Sequence, residues 1–252
     1  MKYPKFSVIT VSFNAAQVIE RTLKSVAEQT YDNLEYILVD GASTDDTLAV
    51  AGRYRSCITT IISEPDKGLY DAMNKGIGLA TGDYLCFLNA GDRFHRPDTL
   101  AQMAASIPDR GDAWPDVLYG ETELMDLEGN DLGPRRFHAP EALTWKSFKK
   151  GMMVCHQAFF ASRAMAAAHP YDLRYRYSAD QDWCIRIMKE SRWLCNTRLI
   201  IIDYLNEGNT TRHRTASLKE RFRIMVKHYG WVSTVLNHIW FVIRYPFRKT
   251  DN

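Results

Sequence analysis

Four short apolar runs in the first hundred residues each end in polar or acidic side chains. Phe6–Val11 is followed by Ser12-Phe13-Asn14, and Leu34–Val39 by Asp40-Gly41-Ala42-Ser43-Thr44-Asp45. Ile58–Ile62 leads into Glu64-Pro65-Asp66-Lys67-Gly68, and Tyr84–Leu88 into Asn89-Ala90-Gly91-Asp92. Ligands of open parallel sheets bind beyond the carboxyl ends of the strands, so these groups would share one rim. Acids gathered on an edge repel unless a cation or a hydrogen-bond donor stands between them. A divalent metal or the hydroxyls of a sugar nucleotide would serve. Taken singly, each acid also reads as a cap or turn former; four strand ends together favour a ligand rim.

Two common phosphate cradles are absent. A dinucleotide fold needs G-x-G-x-x-G after the first strand, because the pyrophosphate must approach bare backbone. Here Ser12–Gln17 contains no glycine, and no G-x-x-x-x-G-K-[ST] occurs anywhere. Any bound phosphates must be neutralised by a metal and by side chains.

The elements that would carry this rim alternate in period. Between the first two β-branched runs, Ile19, Leu23, Val26 and Ala27 fall on one helical stripe. Thr44–Thr47 supplies N-cap chemistry for a second helix to about Arg53, and Leu69–Leu79 reads as a third. Strands alternating with helices predict an α/β, Rossmann-like domain with a mostly parallel central sheet. After Asp92 the rhythm changes. Trp114–Leu127 reads as a strand with edge character, Gln157–Ala161 as a strand, Asp182–Glu190 as a helix and Leu199–Asp203 as the last strand.

Composition narrows the class. The chain has 252 residues, 46% hydrophobic and 25% charged, with a net charge of +2. That balance belongs to a folded globular chain and not to a polycation seeking nucleic acid. The charge is uneven: from Leu218 onward seven Lys/Arg face two acids, a local +5 that leaves −3 for the remainder. Five cysteines with no C-x-x-C pair predict neither a disulfide framework nor a zinc cluster. No leader-like segment and no membrane-spanning apolar stretch is visible, which predicts a cytoplasmic protein.

The segments SVITVSFN, LEYILVDGASTDDT and EPDKGLYDAMNKGIGLATGDYLCFLNAGD resemble the nucleotide-sugar half of family 2 glycosyltransferases, across about residues 5–95. SADQDWCIR at 178–186 is similar to that family's acidic motif at the head of a helix. The resemblance implies an inverting enzyme with a glycosyltransferase A-type fold. It implies a catalytic domain over 1–215, with a nucleotide-sugar half at 1–95 and an acceptor half at 96–215; beyond the resemblance, residues 216–252 read as a basic helical tail.

Carried over by position, the resemblance makes Asp40 an acceptor of hydrogen bonds from the base or ribose, and has Asn14 with Thr10–Ser12 shape the base pocket. Asn89-Ala90-Gly91-Asp92 stands in place of the family's D-x-D segment. Asn89 can offer a ribose contact but no charge, and Gly91 leaves Asp92 as the sole acid for Mn²⁺ or Mg²⁺. Asp180 matches the catalytic base, which takes the acceptor's proton; Asp182 reads as the cap of the same helix. Asp66, Lys67 and Asn74 are donor-binding candidates, and Met73 stands where relatives often carry Arg. His156 and Gln157 fall at the donor–acceptor boundary. Arg212 and His213, in a Gly-containing loop, could offset the diphosphate.

In the tail, Val232, Val235, Leu236, Ile239, Trp240 and Ile243 follow a helical rhythm between basic clusters. Basic ends, interfacial aromatics and too short a span predict a helix lying on an anionic membrane; packing on a subunit is the other reading. The implied reaction moves a sugar from a UDP- or GDP-linked donor to a hydroxyl, with a lipid-linked saccharide as acceptor, at the inner face of the cytoplasmic membrane. A sugar-phosphate nucleotidyltransferase or a non-catalytic nucleotide-sugar-binding subunit would use the same rim differently.

Overall fold

The computed structural model describes residues 3–111, 113–206 and 214–244. β1 (Phe6–Ser12) is buried at every position, its small hydroxyls included, as a strand covered on both faces must be. β2 (Leu34–Asp40) runs parallel to it in a register from Phe6↔Leu34 to Ser12↔Asp40, so Ser12 and Asp40 finish side by side. β3 (Thr60–Ser63) sets Ser63 opposite Asp40, and β4 (Tyr84–Phe87) lies along the other side of β1. The strand ends singled out in the sequence therefore share one edge.

Three helices cover this half. α1 (Ile19–Ala27) buries Ile19, Leu23 and Val26 of the stripe read from the sequence, while Ala27, at its last turn, is exposed. α2 (Thr47–Gly52) is short, and α3 (Leu69–Leu79) has the expected bounds. α3 lies so close to β1 that a Cβ on Gly76 would come within 2.5 Å of Ile9 Cγ2. Only glycine permits that approach.

The second half extends the sheet with mixed pairing. β5 (Arg93–Phe94), α4 (Thr99–Ser106), β6 (Val117–Met125) and β7 (Asp131–Pro134) are followed by two 3₁₀ turns, Trp145–Lys150 and His156–Ala158. Then come β8 (Phe159–Ser162), α5 (Arg163–Ala168), α6 (Ala179–Glu190) and β9 (Leu194–Leu205). The sheet order is β3-β2-β1-β4-β8-β6-β9-β5, with β7 on β6. β6 is interior, between β8 and β9, and not the edge strand its polar positions suggested. Those positions have local partners: Glu121 accepts from Ala139 N at 2.9 Å, and Glu123 faces His95. The expected strand at Gln157–Ala161 begins at Phe159, after the turn that holds His156 and Gln157.

α7 (Arg214–Tyr229) and α8 (Trp231–Arg244) complete the described chain, with Gly230 between them at φ 82°. α7 is bound to the preceding domain and does not hang free of it. Glu220 accepts from the amides of Arg176, Tyr177 and Ser178 at 2.9, 2.8 and 3.0 Å, at the entrance to α6. These bonds join the first helix of the tail expected at 216–252 to the head of α6.

Beneath α6 lies an aromatic cluster. Trp183 is fully buried, stacked on Tyr171 with ring centres 4.9 Å apart and edge-on to Phe87 and Phe159. Truncating a buried Trp typically costs about 3–5 kcal/mol, and this one fixes α6 against β4 and β8. All five cysteines are free thiols, and four of them are buried.

Candidate active site

At the β1–β2 end, the backbone turns sharply twice. Asn14 and Ala42 have φ of 48° and 59°, a left-handed conformation that costs a side-chain-bearing residue energy and is concentrated at functional loops. Asn14 Oδ1 accepts from Thr44 N at 2.9 Å, which ties the two loops together. Phe13 points outward, largely exposed. A Cβ on Gly41 would meet Asp66 Oδ2 at 2.6 Å and Phe13 at 3.4 Å. An aromatic face and a carboxylate thus flank bare backbone, a slot suited to a flat base. Sequence reasoning passed over Phe13; its signal was an aromatic set between Ser12 and Asn14 at a strand end.

Several expected donor contacts belong instead to the scaffold. Asp40 is 0% exposed, and its two oxygens accept from Ser12 Oγ, Ser43 N, Ser43 Oγ and Ser63 Oγ. A carboxylate has about four lone-pair sites, so none is left for a nucleotide, and Ser12 is committed to Asp40. Thr10 is buried, donating to Leu88 O at 2.7 Å beside Tyr36. Asn74 exchanges two hydrogen bonds with the backbone of Tyr171, at 3.0 and 2.7 Å. Met73 lies wholly in the core. Asp66 accepts from Gly68 N at 2.7 Å with its other oxygen over Gly41, and Lys67 is exposed beside it.

The Asn89–Asp92 segment forms the next part of the rim. Gly91, at φ 105°, turns the chain against β9: a Cβ there would strike Leu205 Cδ2 at 2.7 Å. Asp92 is 3% exposed and accepts from Leu205 N at 3.0 Å and Gln157 Nε2 at 2.9 Å. Burial pushes its carboxyl up to about 6, against the pull of those two bonds and of His156. Among the described residues no Lys or Arg forms an ion pair with it. A buried carboxylate lacking a counter-charge is the hard oxygen donor that Mg²⁺ or Mn²⁺ takes, so this residue fits such an ion. Asn89 points its amide nitrogen at His156 Nε2, 3.3 Å away, and its Oδ1 is buried without a partner among the described residues.

Asp180 stands at the second position of α6, its side chain 16% exposed. Oδ1 accepts from Tyr70 OH at 3.2 Å and Gln181 N at 2.9 Å, and Oδ2 is 3.4 Å from His156 Nδ1. Burial would raise this carboxyl, but His156 and the charge of Arg221 on α7 overcome it and hold the group below the usual range. His156 and Gln157 are adjacent residues, one on Asp180 and the other on Asp92. The two acids therefore meet across a single turn.

Asp182 is not a helix cap. Ser178 holds that place, and Asp182 is fully buried beneath Arg186 Nε at 2.7 Å, Lys227 Nζ at 2.8 Å and His228 Nε2 at 2.8 Å. Burial opposes ionisation, but these partners hold its carboxyl far below the ordinary range. Arg212 and His213 lie outside the described residues. Elsewhere, His95, Glu123 and Asp203 bring three possible ligand atoms within 4.8 Å of one another. Asp203 there already pairs with Arg93 at 2.8 Å and His95 at 2.7 Å, a closed ion-pair network.

The profile of Glycosyl transferase family 2 matches residues 7–169. The chain belongs to that family. A PGL/p-HBAD biosynthesis glycosyltransferase of Mycobacterium tuberculosis is 36% identical over 211 residues, covering 82% of this chain and 78% of the relative. The amylovoran biosynthesis glycosyltransferase AmsB of Erwinia amylovora is 32% identical over 201 residues, 75% of this chain and 65% of that one. Among solved structures, S. aureus TarS residues 1–349 superimpose with a TM-score of 0.70 at 16% identity, over 98% of this chain and 75% of that one. A mannosyltransferase of Pyrobaculum calidifontis, in complex with GDP-Man and Mn²⁺, superimposes with a TM-score of 0.66 at 18% identity, over 90% and 65%. The fold is the glycosyltransferase A type, and the protein is a family 2 glycosyltransferase. The profile ends before Asp180, so the candidate base rests on the geometry above.

Proposed function

We propose that the protein catalyses inverting transfer of a sugar from a UDP- or GDP-linked donor to a hydroxyl of a lipid-linked saccharide, with Asp180 as general base. The observation that carries this reading is the convergence of Asp92 and Asp180 on adjacent residues, Gln157 and His156. Phe13, Asp66 and Lys67 would receive the nucleotide, and Asn89 Oδ1 would accept from the ribose. Asp180 Oδ2 takes the proton of the acceptor hydroxyl as that oxygen bonds to the anomeric carbon from the face opposite the nucleotide. The anomeric C–O bond to the diphosphate breaks, and its electron pair leaves with the diphosphate. A divalent ion at Asp92, when bound, offsets the charge on the departing group. The relatives named for PGL and amylovoran biosynthesis support a role in surface glycolipid or polysaccharide assembly.

The C-terminal helix supports a lipid-facing site of action. On α8, Trp231, Val232, Leu236 and Ile239 are 50–67% exposed while Thr234 is buried, so the helix turns its apolar stripe outward. Lys146, Lys149 and Lys150 lie on the neighbouring turn, whose Trp145 stacks on Tyr229. An apolar stripe beside fixed positive charge suits an anionic bilayer surface. No described helix is long and apolar enough to cross a membrane.

Asp180→Asn tests the base: nucleotide binding should persist while turnover falls about a thousandfold, and near-normal turnover would remove Asp180 from the role. Trp231→Lys/Leu236→Lys tests the surface. Flotation with phosphatidylglycerol vesicles should drop sharply, and equal flotation would exclude this stripe.

A further inference from the structure

His156 stands between the two halves of the site. Its Nε2 lies 3.3 Å from Asn89 Nδ2 and its Nδ1 3.4 Å from Asp180 Oδ2, with the side chain nine-tenths buried. An amide nitrogen can only donate, so Asn89 makes Nε2 the acceptor. The ring proton then sits on Nδ1, facing Asp180. The neighbouring Gln157 is fixed by Asp92 and Cys155, which anchors the turn that carries the ring.

The geometry points to a positioning relay, in which Asn89 sets the tautomer of His156 and His156, with Tyr70, holds the Asp180 carboxylate in the orientation that meets the acceptor hydroxyl. This inference rests on Asp180 being the base. It gives Asn89 a second purpose besides its orphaned Oδ1: the residue standing where the resemblance sets an acid is a donor to histidine. A carboxylate at position 89 could only accept, and so would need a proton on Nε2. With Nδ1 also protonated, the ring becomes an imidazolium held against Asp180 Oδ2, the oxygen left for the acceptor's proton. With Nδ1 bare, its lone pair faces a carboxylate and the contact is repulsive. Either way, restoring the acid should harm the base. The charged groups that face the ring are Asp180 on α6, Asp92 on the β4–β5 turn and, beyond Asp180, Arg221 on α7; the phenol of Tyr70 on α3 closes the far side of Asp180.

The test uses the full chain labelled with ¹⁵N-histidine. Long-range ¹H–¹⁵N correlation spectra report the tautomer, with His156 assigned by its absence in His156→Gln. The wild-type ring should be protonated on Nδ1 alone, and Asn89→Asp should convert it to the imidazolium pattern. A wild-type ring protonated on Nε2, or on both nitrogens, overturns the relay. Turnover is read as nucleoside diphosphate released from a nucleotide-sugar panel with water as acceptor. His156→Gln, which loses the Nδ1 donor, should lower kcat about a hundredfold at unchanged donor KM. His156→Asn, whose amide can occupy the Nδ1 place, should recover activity to within about tenfold of wild type. Asn89→Asp should lower kcat about tenfold and shift the acid limb of the pH–rate profile. Wild-type kcat in His156→Gln, with turnover lost in Asp180→Asn, sinks the relay alone. Turnover retained in Asp180→Asn sinks the base reading and leaves the tautomer signature intact.

Discussion

Glu35 and Asp92 are both buried carboxylates at ends of the same set of parallel strands, and they are treated in opposite ways. Glu35, at the amino edge, accepts from Lys5 Nζ at 2.8 Å, from Ser7 Oγ, from Thr81 N and Oγ1, and from Gly82 N at 3.0 Å. Burial alone would raise its carboxyl, but these donors bring it down to about 2. Asp92, at the carboxyl edge, has two donors and, among the described residues, no ion pair, and burial leaves it at about 6. The amino edge is finished with its own hydrogen bonds. At the carboxyl edge no described Lys or Arg reaches Asp92, and an uncompensated buried charge of that kind marks functional sites more than structural ones.

Three substitutions probe that contrast. Asp92→Asn should lower turnover about a hundredfold at saturating donor, yet stabilise the fold at pH 7.5. The sign follows from the raised carboxyl: its contribution is present below about pH 4 and lost as pH rises through about 6, a cost of up to about 3 kcal/mol. Urea unfolding of both proteins at pH 5 and 7.5 measures it, and a less stable variant at pH 7.5 would break the comparison. Glu35→Gln should do the reverse, losing about 2–3 kcal/mol at neutral pH with turnover unchanged. Its depressed carboxyl stabilises above about pH 4.5, and that stabilisation disappears as pH falls through about 2. A variant as stable as wild type would show that the amino edge is not closed by this residue. Glu220→Gln tests whether α7 sides with scaffold or site. It weakens the acceptor shared by three amides before α6, at about 1–2 kcal/mol, and should lower kcat a few-fold with donor KM unchanged. Intact kcat at reduced stability would assign α7 to the scaffold alone.

The same contrast explains what was legible in advance. β1, β2 and β4 read clearly because strands buried on both faces are continuous apolar runs, and α1 because its stripe faces the sheet. β6 was misread as an edge because Glu121 and Glu123 imitate a solvent-facing row, when each answers a partner brought by another segment. Residue type marked candidate contacts but not the direction of a side chain: Asp40 and Thr10 on their strands, and Asn74 on α3, point inward to hydroxyls and backbone. Asp182 imitated a cap because its partners Lys227 and His228 lie 45 and 46 residues away in sequence. His156 and Gln157 were visible only as a pair at a boundary; their division of labour between two acids needed coordinates.

The grip of α7 on α6 bears on how long the chain must be. A stop codon or protease cut ahead of Glu220 would take away Lys227 and His228 as well, leaving the buried Asp182 with Arg186 alone, two residues from Asp180, the proposed base. A shortened protein should therefore lose turnover as well as stability. Lys227 and His228 place α7, whatever surface α8 meets, among the elements that hold the head of α6.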